Sequence, residues 1–230
     1  MSEAERRGTA VITGASRGIG RATALRLAAE WEIVAIARSA KALDSLRSEI
    51  EDAGGDCSAI ELDVTDASAV QHALSGIDAE VLVNNAGIGI MKPMLELTVD
   101  DWRSMMAVNL DAVFYVTRAL LPGMVRRGRG HVVNIGSLSG RSAFVGGSGY
   151  TATKHALIGF SESLMMEVRD SGVRVSLVMP GSVNTTFSGG EANADWKLAP
   201  SDVAEAVAYT LAQPDNALVS RVELRPLRKS

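Results

Sequence analysis

Short β-rich apolar runs that alternate with longer amphipathic stretches predict an α/β fold: a doubly wound sheet of seven strands, mostly or wholly parallel, covered by helices on both faces. Two further observations agree. The strand candidates are apolar nearly throughout instead of alternating, as strands buried on both faces are. A glycine-rich turn, Thr13-Gly14-Ala15-Ser16-Arg17-Gly18-Ile19-Gly20, joins the first strand to the first helix. The 230 residues are 47% hydrophobic, and no Pro/Ser-rich linker, charge block or repeat divides them, so 1–230 reads as a single domain.

In order, the strand candidates are 9–13, 32–37, 57–62, 80–83, 131–135, 173–178 and 217–223. Helical patterns occupy 18–31, 41–53, 67–74, 99–127, 149–171 and 201–212. Each strand–helix–strand step is a βαβ unit that adds a parallel strand. The stretch 181–200 has no clear period, carries the adjacent Gly189 and Gly190, and follows a strand end. Its central part, about 186–199, reads as a substrate loop.

Composition narrows the function classes. With 23 basic and 27 acidic side chains the formal charge is −4, which supports neither a nucleic-acid nor an anionic-membrane surface. The single cysteine, Cys57, excludes an internal disulfide and any multi-cysteine zinc site, and a reducing cytoplasm is the expected setting. No run of about 20 apolar residues predicts a membrane span, and the charged N-terminus lacks the apolar core of a signal peptide. His72, His131 and His155 are scattered without metal-ligand spacing, so no metal is expected. Met165 and Met166 read as core or interface.

The glycine turn carries the first chemical signal. Glycines permit a tight turn and close approach of backbone to phosphate, and the helix that follows aims its free amides and partial positive charge at the anion. The spacing is G-x3-G-x-G, not G-x-G-x-x-G, and a tight connection is the competing reading. The second strand, EIVAIARSA, ends in Arg38 with no carboxylate where a free ribose 2′-hydroxyl would be read. Arg17 adds a second cation inside the turn. Two cations and a missing acid favour NADP(H), with NAD(H) as the alternative; two solvated arginines at loop ends would look the same.

Asn84-Asn85-Ala86-Gly87 follows the fourth strand, and Tyr150 and Lys154 open a helical pattern. Four residues apart, they share a helix face, about 6 Å apart along the axis, though an isolated pair of this kind is equally an ordinary surface pair. Ser137 lies 13 residues before Tyr150, just past the fifth strand, at the carboxyl edge where open α/β sheets place ligands. With Asp63-Val64 after the third strand, Asn109 in a long helix and Pro180-Gly181 after the sixth strand, the ordered set resembles the short-chain dehydrogenase/reductase family, with its Rossmann-like three-layer fold, over essentially the whole chain.

The resemblance implies an oxidoreductase that interconverts a ketone or aldehyde and its alcohol. Tyr150 would be general acid or base, Ser137 would bond the substrate oxygen, Lys154 would bind the nicotinamide ribose and lower the tyrosine pKa, and Asn109 would hold a relay water. Ser139 is a decoy that the 13-residue interval excludes, and Asn109 could equally be a helix-bending residue. The cofactor would meet Gly14, Ser16, Arg17, Gly18, Ile19 and Gly20 at the turn and Arg38, Asp63 and Val64 at the adenosine. Asn85, Ala86 and Gly87 would line its groove. Tyr150, Lys154, Pro180, Gly181, Val183 and Thr185 would meet its nicotinamide half, although Pro180 and Gly181 could form a simple turn.

One departure stands out: AAEWEIV passes from the first helix to the second strand without the glycine usual at that helix end. Leu138, Phe144 and Trp196 are expected near the substrate pocket. The broad apolar faces of 99–127 and 149–171 correspond to the family's subunit interface and imply a homodimer or homotetramer. The ending, ALVSRVELRPLRKS, resembles 3-hydroxy-acid and general alcohol dehydrogenases more than acyl-carrier reductases. A 3-oxoacyl thioester reductase and a non-catalytic nucleotide sensor are the alternative functions.

Overall fold

Among the described residues seven strands pair, all parallel, in the order β3-β2-β1-β4-β5-β6-β7. They are β1 (Thr9–Thr13), β2 (Glu32–Ala37), β3 (Cys57–Glu61), β4 (Ala79–Asn84), β5 (Gly130–Ile135), β6 (Val173–Pro180) and β7 (Arg221–Leu224). The structure is a computed structural model that describes residues 7–187 and 194–228. The helices are α1 (Gly18–Leu27), α2 (Ala40–Asp52), α3 (Ala67–Leu74), α4 (Val99–Met106), α5 (Ala112–Arg127), α6 (Ser148–Val168) and α7 (Pro200–Leu211).

Successive side chains of a strand point to opposite faces, and here both faces are buried. Ala10 and Ile12 of β1 pack with Ile33 and Ala35 of β2, Val81 and Val83 of β4, and residues of α1, α2 and α7. Val11, Val34, Ile36 and Leu82 enter the opposite core with residues of α3, α5 and α6. That is why the strands read as continuous apolar runs. The strand order reverses between β1 and β4, so the chain leaves these neighbours toward opposite sides and opens a crevice at their carboxyl ends.

A buried polar chain ties the second core together. Asn84 Nδ2 donates to Thr117 Oγ1 (3.0 Å) and to Asn134 Oδ1 (2.9 Å), and Asn134 Nδ2 donates to Ser161 Oγ (2.8 Å). Ser161 in turn donates to the Leu157 carbonyl at 2.6 Å. These bonds fix α5 and α6 against β4 and β5; α6 carries Tyr150 and Lys154, and Asn85 and Ser137 follow β4 and β5.

The structure amends several expectations. The first helix ends at Leu27, not at residue 31, because the Leu27 carbonyl takes the amides of Glu30 (2.9 Å) and Trp31 (3.0 Å). Ala28 stays right-handed at φ −59°, so this helix end needs no glycine. The last strand begins at Arg221, opposite Leu177, since 217 is held in a turn by Ala217 N to Pro214 O (2.9 Å). The helix over 99–127 contains a π-helical turn, Ala107–Asp111, between α4 and α5. By length and composition that helix, Val99–Arg127, is apolar enough to cross a membrane, against the sequence expectation. Its Val113, Val116, Leu120 and Met124 are instead buried in the fold. Residues 188–193 of the expected substrate loop lie outside the described residues.

His131 on β5 is buried beside Ser176 on β6, with Nε2 to Oγ at 2.7 Å. The Ser176 hydroxyl donates to the Val219 carbonyl (2.7 Å), so His131 Nε2 is the donor. Burial, then the nearby Arg174 charge, pushes this imidazole down to about 3. Below its ordinary value near 6.5 the unfolded chain gains a proton that the folded one refuses, so acid destabilises the fold. Urea unfolding should show stability falling from this source by about 1.4 kcal/mol per pH unit between 6.5 and 3. His131→Gln, which keeps a donor for Ser176, should flatten that slope.

Candidate active site

The site begins where β1 and β4 diverge. The Thr13 hydroxyl accepts from Asn85 N (3.0 Å) and Ala86 N (3.1 Å), and Asn85 Nδ2 donates to the carbonyls of Thr13 (2.9 Å) and Gly14 (3.2 Å). The glycine turn is pressed against this lock. Gly14 has φ +66°, and a Cβ there would lie 2.9 Å from Ala86 Cα and from Asn85 Nδ2. A Cβ on Gly20 would run into the Gly14 carbonyl oxygen and Asn85 Nδ2. Arg17, at the N-cap of α1, makes no side-chain cap, and the first turn holds no acid. The opening amides of α1 therefore face the crevice as donors for an anion.

The second half of the site stands on β5 and α6. Ser137 follows β5 and caps the 3-10 turn Leu138–Gly140, its Oγ accepting from Ser139 N at 3.1 Å. Tyr150 and Lys154 share the buried face of α6. Ser137 and the Tyr150 ring line the same cavity. The Lys154 ammonium donates to the Ile135 carbonyl (2.9 Å) and lies 5.8 Å from the centre of the Tyr150 ring. Burial pushes the Lys154 ammonium down to about 8, so it still carries its charge at neutral pH. Burial also pushes the Tyr150 phenol up, and the nearby Ser137 side chain opposes that rise. The phenol is thus a proton donor in this state, and desolvation, not the lowering by Lys154 that the resemblance implies, sets the direction of its shift.

Asn109 sits in the π turn and is buried. Its Oδ1 accepts from Ile88 N (2.8 Å), and its Nδ2 donates to Ile88 O (2.9 Å) and Thr153 Oγ1 (3.1 Å). This side chain therefore clamps the loop after β4 to α6. The π turn and the clamp occur together, and π turns inside α-helices recur at functional sites.

A cavity of about 920 Å3 joins the two halves, toward the upper end of small-molecule sites. Of the residues predicted for the site, Gly14, Ser16, Arg17, Gly18, Ile19, Arg38, Asp63, Val64, Asn85, Ala86, Gly87, Ser137, Tyr150, Lys154, Pro180, Gly181, Val183 and Thr185 all line it. Gly20 and Asn109 do not; they support it from behind. Arg38 points toward Asp63, Nη1 to Oδ2 4.0 Å, and the Asp63 carboxyl is held below its usual range chiefly by the Thr65 amide. Arg17 Nη1 donates to Thr186 Oγ1 at 3.4 Å, linking the glycine turn to the substrate loop. An uncapped helix start, a turn that excludes Cβ atoms and two arginines at one end fit a dinucleotide with a 2′-phosphate.

The expected pocket residues Leu138, Phe144 and Trp196 also line the cavity. Phe187 and Lys197, within the expected substrate loop, line it as well, while sequence reasoning missed Met91, Arg225 and Arg228. Phe187 stands against Tyr150, ring centres 5.8 Å apart at 59°. The basic ending RPLRKS was the one available signal for the tail residues.

Comparison with known proteins agrees with this geometry. The short chain dehydrogenase family model matches residues 8–196. The NADP-dependent 3-hydroxy acid dehydrogenase YdfG of Escherichia coli K12 is 33% identical over 239 aligned positions, covering 96% of this chain and 95% of that protein. Serine 3-dehydrogenase of Rhizobium radiobacter is 32% identical, covering 97% and 95%. An alcohol dehydrogenase from the archaeon Thermococcus sibiricus, solved with 5-hydroxy-NADP, superposes with a TM-score of 0.91 at 32% identity, covering 97% of this chain and 98% of that one. With the family pattern spanning most of the sequence, the chain belongs to the short-chain dehydrogenases.

Proposed function

We propose that the protein is an NADP(H)-dependent oxidoreductase that interconverts a ketone or aldehyde and its alcohol, with Tyr150 as the general acid and base. The observation that carries this reading is the gathering of Ser137, Tyr150 and the buried Lys154 in one cavity continuous with the glycine turn. Two relatives named for NADP and for hydroxy-group oxidation support it.

Bound NADPH supplies the hydride. The chain's own groups do the rest. Ser137 donates a hydrogen bond to the substrate oxygen, which orients the carbonyl and stabilises the negative charge that develops there. Tyr150 gives its proton to that oxygen in reduction and takes it back in oxidation. Lys154, anchored on the Ile135 carbonyl, keeps a positive charge near the phenol and stabilises the phenolate as the proton leaves. Both ends of the Asn109 carboxamide are engaged with Ile88 and Thr153, so a relay water would rest on its main chain instead. Arg17 and Arg38 read the ribose 2′-phosphate.

The reading treats residues 1–230 as one nucleotide-binding unit, with 186–199 as its substrate loop, acting in the cytoplasm. A homodimer or homotetramer is part of it, supported by Phe114 (44% exposed) on α5 and Met166 (56% exposed) on α6. A clean monomer in sedimentation at micromolar concentration would contradict that assembly.

Tyr150→Phe should lower turnover by about 10²–10⁴-fold while NADPH still binds with nearly unchanged affinity, measured by fluorescence titration. Retained turnover would remove Tyr150 from the mechanism. Arg38→Gln should raise the KM for NADPH about tenfold and leave that for NADH almost unchanged, the loss expected of one charge-assisted bond. Equal rates of the wild-type enzyme with NADH and NADPH would overturn the assignment of the two arginines.

A further inference from the structure

We infer that the substrate end of the cavity is built to take a carboxylate held by Arg228 and Lys197, so that the substrate is a small hydroxy or oxo acid; this rests on the oxidoreductase reading above. The charge of the cavity wall motivates the assignment. Among the described residues it carries six cations and one carboxylate, Asp63. Arg17, Arg38 and Asp63 belong to the glycine-turn end, and Lys154 is bonded to Ile135. The remaining three cations, Lys197, Arg225 and Arg228, enter from the opposite end.

Hydrogen bonding places them there. Gly181 N donates to Leu224 O (2.8 Å), and a Cβ on Gly181 would lie 3.1 Å from both Pro226 Cδ and Leu138 Cδ1. The C-terminal segment therefore crosses the cavity floor beside the residue that follows Ser137. From the other flank, Leu198 N donates to Ser182 O (3.0 Å) and Asn184 N to Leu198 O (2.8 Å), which sets Lys197 against the same strip. Two separate stretches of chain thus deliver positive charge to one edge of the reaction site.

These cations are not equivalent. Glu223 accepts from both Arg225 (3.0 Å) and Arg141 (2.9 Å), so the charge of Arg225 is already answered. Neither Lys197 nor Arg228 has a carboxylate within ion-pair distance among the described residues. Lys197 is half-buried, its ammonium 5.8 Å from the centre of the Trp196 ring. Arg228 is exposed and lines the same cleft; unanswered cations on a cleft wall attract and orient an anion, and a guanidinium matches the two oxygens of a carboxylate. Leu138, Phe144 and Phe187 wall the space between, which suits a short carbon skeleton.

Acetoacetate and its methyl ester discriminate. Titrated calorimetrically into NADP+-loaded enzyme, an unreactive oxidised pair, the acid should bind at least tenfold more tightly than the ester. In Arg228→Gln and in Lys197→Gln that ratio should fall toward one, since each change removes a charge-assisted bond. Equal binding of acid and ester by the wild type, or an unchanged ratio in both variants, would overturn the inference. The binding ratio is independent of turnover: selective acid binding without reduction by NADPH would sink the oxidoreductase reading and leave the carboxylate site standing. Reduction of uncharged ketones without selective acid binding would do the reverse.

Discussion

The whole site depends on the way Thr13 and Asn85 hold the ends of β1 and β4 together. At the point where strand order reverses, the two chains turn away from each other, and unpaired backbone there would be costly. The Thr13 hydroxyl and the Asn85 carboxamide satisfy that backbone with four bonds of 2.9–3.2 Å. Because Asn85 reaches across to the Gly14 carbonyl, it also sets how closely the glycine turn can lie against β4. Only then do the opening amides of α1 look into the crevice instead of into protein.

The catalytic half obeys a second constraint, the burial of a lysine. Desolvation works against a charged ammonium, and the fold offsets it with the Ile135 carbonyl at the end of β5. That carbonyl and Ser137 are two residues apart, so one strand end presents a receptor for Lys154 and brings Ser137 to the cavity that Tyr150 lines. The α6 helix spaces its two residues to meet that carbonyl and that cavity. The polar chain from Asn84 to Ser161 fixes the distance between α6 and β5 from behind, where no solvent can soften it. Asn109 does the same for the loop at Ile88. The reacting groups are thus held by side chains that never touch the cavity.

Much of this was legible in the sequence because each signal is local. Runs such as EIVAIA read as strands since both faces of the sheet are covered, and the glycine turn announces itself by its position between strand and helix. Tyr150, Lys154 and Ser137 could be ordered along the chain, and the fold brings them into one cavity. What was not legible comes from contacts between distant stretches. Nothing near Asn84 or Asn134 in the chain reveals that they bond to each other. The π turn at Asn109 leaves no periodicity of its own within a helix of good pattern. Nothing in the basic ending RPLRKS shows that Arg225 and Arg228 meet the cavity; the pairing of Gly181 with Leu224 brings that segment to it. The early end of the first helix was likewise hidden, since Leu27 closes it by backbone bonds alone.

The account makes nucleotide binding a consequence of the Thr13–Asn85 lock, and Thr13 lies outside the cavity lining, so it can be changed without touching the ligand. Calorimetric titration of Thr13→Val with NADPH measures this directly, the substitution keeping the shape of the side chain and removing its hydroxyl. The affinity should fall at least tenfold while the circular dichroism spectrum stays that of the wild type. An affinity equal to the wild type in a folded Thr13→Val protein would contradict the claim that this lock sets the glycine turn.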